Sequence, residues 1–104
     1  MTKNAGFYIV SLVGKVLIKG IENRDRYIEE LISRLPDPEL VILPELSRCS
    51  YMASQEMWKY ADEQGKETSD WAVRMAKVYN TYIGVGYLDK EDGDYYNRYF
   101  IAGP

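Results

Sequence analysis

The apolar positions of the chain fall into runs whose spacing switches between the strand and the helix period. Residues 7–13, FYIVSLV, are dense in β-branched and aromatic types and stop at Gly14, which predicts a first strand covered on both faces. Beyond Asn23, a residue type suited to capping, Tyr27, Ile28, Leu31, Ile32 and Leu35 recur at helical spacing. Asp25, Arg26, Glu29, Glu30 and Arg34 fall on the opposite, water-facing side. Pro36 and Pro38 end that helix, because proline cannot continue it and pushes the preceding residue to extended geometry. Residues 40–43 then predict a short buried strand. Strand, helix, strand is the order of a βαβ unit, whose strands lie parallel and whose functional groups sit past the strand carboxyl ends. Pro44 and Glu45 occupy that place.

A short helix is predicted over residues 55–61, carrying Met57 and Trp58 inward and broken by Gly65. Thr68 or Ser69 can cap the next helix, in which Trp71, Met75, Val78 and Tyr79 form an apolar stripe and Ala72 and Ala76 allow close approach. Residues 82–88 and 94–102 read as strands joined through Asp92-Gly93, a hairpin turn signal. Ile83, Val85 and Tyr87 lie opposite Tyr82 and Leu88, and Tyr95, Tyr99 and Ile101 lie opposite Tyr96 and Phe100, so both strands are apolar on both faces. The available helices can cover one face. The other face, and one sheet edge, call for protein that these residues do not supply. No repeat or linker divides the chain, and residues 1–104 read as a single segment.

Composition narrows the chemistry. With 104 residues there is room for one modest core. A net charge of -3 gives no basic field for nucleic acid or an anionic membrane, and neither is expected as a partner. No apolar run approaches the roughly 20 residues that span a bilayer. The stretch at residues 7–13 behind Lys3 is at the lower limit for a signal peptide and no cleavage site follows it. A single cysteine excludes an internal disulfide and points to the cytoplasm. The absence of histidine removes Cys-His and Ser-His pairs and imidazole metal ligands, so neither a metal nor a cofactor is expected.

Four features remain as candidates. Glu45 is either a solvated residue at a strand end or a carboxylate held beside apolar residues for general-base work. Cys49 could be a thiol nucleophile four residues from that carboxylate, or a loop thiol; Arg48 is its neighbour but no imidazole is available to pair with it. The ten tyrosines fall mostly on core-periodic positions, which favours packing over a stacking platform. Gly84 and Gly86 lie within a strand rather than between strand and helix, and so mark close backbone approach rather than a phosphate loop.

In this order the segments ENRDRYIEELISRL, PELVILPELSRCSY, GKETSDWAVRMAKVYNTYIGVGYL and DGDYYNRYFIAGP resemble the amino-terminal part of the nitrilase superfamily, the carbon-nitrogen hydrolases. The most specific elements are LPEL after an apolar strand, the Gly65 to Lys77 spacing that leads into YIGVGY, and Tyr96-Asn97. The resemblance implies an α/β fold of βαβααββ order, a partial αββα sandwich completed by self-association or by a missing carboxy-terminal half. It also implies that Glu45 is the general base of a Glu-Lys-Cys mechanism acting on a small amide, nitrile or N-carbamoyl compound. The family's lysine and cysteine have no counterpart in these residues, and Cys49 does not match the nucleophile, so the chain alone is expected to be inactive. The alternative is a non-catalytic interaction or dimerisation module derived from the same fold.

Overall fold

A computed structural model describes residues 6–10, 21–48 and 55–104, the side chains of 55–57 excepted. The end of the predicted first strand, Cys49, and the Met57 side chain lie outside the described residues. The elements follow as β1 (Phe7–Ile9), α1 (Ile21–Ser33), β2 (Leu40–Ile42), a 3₁₀ helix (Gln55–Tyr60), β3 (Asp62–Glu63), α2 (Lys66–Tyr79), β4 (Tyr82–Glu91) and β5 (Asp94–Ala102). Among the described residues no helix is long and apolar enough to cross a membrane.

The sheet is built on β4. β1 pairs with β2 in parallel, Phe7 opposite Leu40, and β2 pairs with β4 in parallel, Leu40 opposite Tyr82. β3 pairs with the far end of β4, Asp62 opposite Asp89, and β5 runs antiparallel along its whole length. The expected parallel βαβ order and terminal hairpin are therefore both present. The hairpin closes at Asp92 and Gly93, with φ of 51° and 84°. Both turn residues being left-handed is the geometry that matches strand twist in a two-residue loop.

The core lies between the helices and one face of this sheet. Ile28 and Ile32 of α1 and Trp71, Ala72, Met75 and Ala76 of α2 pack on Val41, Leu43, Ile83, Val85 and Ala102. Each large aliphatic side chain so buried contributes about 1.5–3 kcal/mol relative to exposure. Val78, assigned to the stripe by periodicity, instead stands 61% exposed. Trp58 also points outward and meets the Tyr95 ring with centroids 4.5 Å apart.

α2 begins before the expected Thr68 or Ser69. Gly65, in left-handed geometry, precedes it, and the Asp62 carboxylate accepts the free amides of Glu67 and Thr68 at 3.1 and 2.6 Å. This is capping from outside the helix, supplied by the two-residue strand β3. At the other end Asn80 (φ 50°) sends its N–H back to Ala76 and Lys77.

On the sheet's second face the apolar groups are uncovered. Phe7, Ile9, Tyr82, Tyr99 and Ile101 are all exposed there, as an unpartnered face requires. The tyrosines are accordingly less internal than their periodicity predicts: among the described ones Tyr87 alone is buried. The sequence pattern was satisfied by a sheet with two apolar faces, only one of which carries helices among the described residues.

The turn makes a direct test of the hairpin. Gly93→Ala forces a side chain into left-handed geometry and should lower stability by about 1–2 kcal/mol, read as a lower urea midpoint at unchanged slope. An unchanged midpoint would mean that the turn is not held in this form.

Candidate functional site

The edge of β4 that faces β2 and β3 is not continuously paired. β2 occupies it at residues 82–84 and β3 at 89–90, leaving the stretch between them to the loop that follows β2. That loop enters with the Leu43 N–H donating to the Gly84 carbonyl at 2.8 Å, and the Ser47 hydroxyl donates to the Gly86 carbonyl at 3.2 Å. Backbone groups that a strand would have satisfied are taken by a loop instead.

Glu45 sits at the crown of this loop and is exposed. Leu46 follows in left-handed geometry, φ 51°, which turns its side chain down onto Leu88. The loop can lie this close because β4 has glycine beneath it. A Cβ on Gly86 would stand 2.7 Å from the Leu46 nitrogen and the Pro44 oxygen, and 2.8 Å from the Glu45 Cα. At Gly84 the space is taken by Tyr99, whose hydroxyl would be 2.6 Å from an added Cβ and donates to the Leu43 carbonyl at 2.9 Å. The two glycines therefore mark close approach, as their place inside a strand predicts.

The far side of the loop is pinned by two arginines. Arg24 Nε donates to the Ser47 carbonyl at 2.7 Å. Arg48, buried, forks onto both oxygens of Asp25 at 2.9 and 2.7 Å and donates to the Thr68 hydroxyl at 2.8 Å, with Asp62 at 3.9 Å. Its guanidinium also lies 5.7 Å from the Trp71 ring centroid. Asp25, expected to face water, is thus recruited inward; a partner 23 residues away leaves no periodic signature.

Glu45 opens on a hollow of about 250 Å³, walled by Leu46, Leu88, Trp58, Tyr95 and Tyr96, with Asn97 beside it. The Asn97 side-chain amide donates to Glu45 Oε1, a contact that spans the sheet from β5. A larger hollow of about 750 Å³ runs between α1 and α2, lined mostly by charged side chains together with Ile21 and Trp71, and it excludes Glu45. Geometry favours the smaller one, where a carboxylate meets an apolar wall at the carboxyl end of a parallel strand. Cys49 lies outside the described residues. Glu45 and the Tyr96-Asn97 pair, both singled out by the sequence, meet at this hollow, whereas the arginine clamp carries no sequence signal.

The sequence model of one protein family, carbon-nitrogen hydrolase, matches residues 17–104. No curated protein matches the chain in sequence. Among solved structures, a CN-hydrolase superfamily protein from Xanthomonas campestris, with an arsenic adduct in its active site, superposes with a TM-score of 0.69 at 22% identity. The match covers 84% of this chain and 35% of that one. A glutamine-dependent NAD(+) synthetase from Cytophaga hutchinsonii superposes with a TM-score of 0.57 at 18% identity, over 79% of this chain and 14% of that one. The chain thus spans about a third of the first and a seventh of the second. The shared feature is the α/β fold.

Two outcomes follow from the loop's seating. Gly86→Ala drives a methyl group into backbone on three sides and should destabilise the fold by about 1–3 kcal/mol, measured by urea unfolding. A neutral result would mean the loop does not rest on β4. The second concerns alkaline pH. Partial burial pushes the Tyr99 phenol above the ordinary 10.0, although 45% of the residue stays exposed, and burial does the same for Tyr87 and Tyr79. The folded state holds these protons more tightly, so their stabilisation is complete below pH 10.0 and lost as pH rises through the raised values. The urea midpoint should fall across that range, and less steeply in Tyr99→Phe.

Proposed function

The chain belongs to the carbon-nitrogen hydrolase family, and from that premise we propose that Glu45 is the general base of a hydrolase acting on non-peptide C–N bonds, with the lysine and the cysteine of its site supplied by protein outside residues 1–104. The observation that carries this reading is the placement of Glu45: at the carboxyl end of β2, on the lip of an apolar hollow, with one oxygen held by Asn97.

The chemistry runs in two halves. A cysteine thiol gives its proton to the Glu45 carboxylate, and its sulfur attacks the carbon of an amide or nitrile. A lysine ammonium stabilises the charge that develops on the substrate. For an amide, Glu45 returns the proton to the departing nitrogen as the C–N bond breaks and a thioester remains. It then takes a proton from water as the oxygen attacks the thioester, and gives it to the leaving sulfur, which frees acid and thiol.

The uncovered sheet face, with Phe7, Ile9 and Ile101 exposed, supports a second requirement of this reading, that further protein packs there. In the same proposal that cover is either the remainder of a longer hydrolase or another copy of the chain.

Both parts are tested on protein isolated from its source. Its intact mass should exceed the 12.1 kDa of these residues, and it should hydrolyse simple amides or nitriles, with Glu45→Gln lowering kcat by about 10²–10⁴-fold. Residues 1–104 expressed alone should show no turnover and should sediment as more than a monomer. Hydrolysis by residues 1–104 alone, or hydrolysis that survives Glu45→Gln, would refute the proposal.

A further inference from the structure

Two side chains of β5 reach back over β4 to the segment that carries Glu45. Asn97 and Tyr99 are two residues apart and so share a face of the strand, with Asn97 opposite Leu88 and Tyr99 opposite Gly86. Tyr99 fixes the backbone at Leu43, and Asn97 donates its side-chain amide to Glu45 Oε1. Among the described residues no other donor reaches the Glu45 carboxylate, and its neighbours Leu46 and Leu88 are apolar and buried.

A glutamate carboxylate turns through a broad, roughly two-fold torsion, so on an exposed loop its two oxygens interchange. A single donor fixed to a strand breaks that equivalence. We propose that Asn97 is a positioning residue for Glu45, holding Oε1 so that Oε2 is the oxygen that takes and returns the proton. An amide suits this task for a chemical reason. It is a strong donor with no proton to lose, so it orients the carboxylate without competing for the proton being moved, as a tyrosine or lysine in the same place would. The strand supplies the precision: Asn97 is held by the hairpin ladder, and the loop by Gly86 and the Arg48 clamp. This inference rests on the reading of Glu45 as the base, but its test does not require turnover.

The test is nuclear magnetic resonance on ¹³C,¹⁵N-labelled protein. The Asn97 side-chain amide should resonate downfield of the exposed Asn80 amide and exchange with solvent about three- to tenfold more slowly, the effect of one hydrogen bond of ordinary net strength. Glu45→Ala should abolish both differences and leave Asn80 unchanged. In the reverse direction Asn97→Ser should move the Glu45 side-chain carboxyl carbon resonance, with backbone shifts confined to the neighbours of residue 97 as the control for folding. An asparagine that makes no bond to the Glu45 carboxylate would leave the carboxyl carbon still. An Asn97 amide indifferent to Glu45→Ala, or a Glu45 carboxyl carbon indifferent to Asn97→Ser, overturns the proposal. If the amide signal depends on Glu45 while turnover survives Glu45→Gln, the positioning stands and the base assignment falls.

Discussion

A single buried guanidinium joins the parts of this molecule that the sheet alone does not. Arg48 meets Asp25 of α1 and Thr68 of α2, lies near Asp62 of β3, and belongs to the loop that carries Glu45. Taking this charge out of water is unfavourable by several kcal/mol, and its removal from the pair would leave Asp25 and Asp62 facing each other's field. The network is therefore worth more for what it forbids than for its net energy. With Arg48 seated, the loop has one position relative to both helices, because the fork of donors fits one arrangement of partners.

The other half of the seat is made by an absence. β4 passes under the loop as Gly84-Val85-Gly86, with Val85 in the core and no side chain on the upper side. Tyr99 and the backbone of 44–46 fill the two vacant places. A carboxylate on a flexible loop could belong to any surface; one whose Cα rests on a strand and whose side chain is bonded across the sheet is defined by the fold. The same arrangement accounts for the hollow beside it, since Leu46 and Leu88 form its floor as a consequence of the left-handed turn at Leu46.

Much of this was legible in the sequence, and unevenly so. The helix of Ile28 and Ile32, the parallel pair around it and the Asp92-Gly93 hairpin are local or periodic, and periodicity found them. The position of Glu45 in the turn after a buried strand was legible in the same way. β3 was not: Asp62–Glu63 has neither length nor strand-forming residues, and exists because β4 overruns β2 and leaves an edge to pair. Arg48 entered only as the neighbour of Cys49, since nothing local says that an aspartate 23 residues earlier will turn inward to meet it. Trp58, Val78 and most of the tyrosines were placed inward because apolar spacing reports a face, not whether that face has a cover.

The hairpin also ranks the contacts in time. Its turn joins strands across two residues, whereas Asn97 meets Glu45 across 52. Loop-closure entropy separates two such events by roughly 3 kcal/mol, so β4 and β5 can zip while the amino-terminal half of the chain is still searching. Low-separation pairing of this kind is fast, and the contacts of high sequence separation are the slow ones. The strand pair is then a template, already carrying its glycines, its tyrosine and its asparagine, for the distant segment that bears the glutamate.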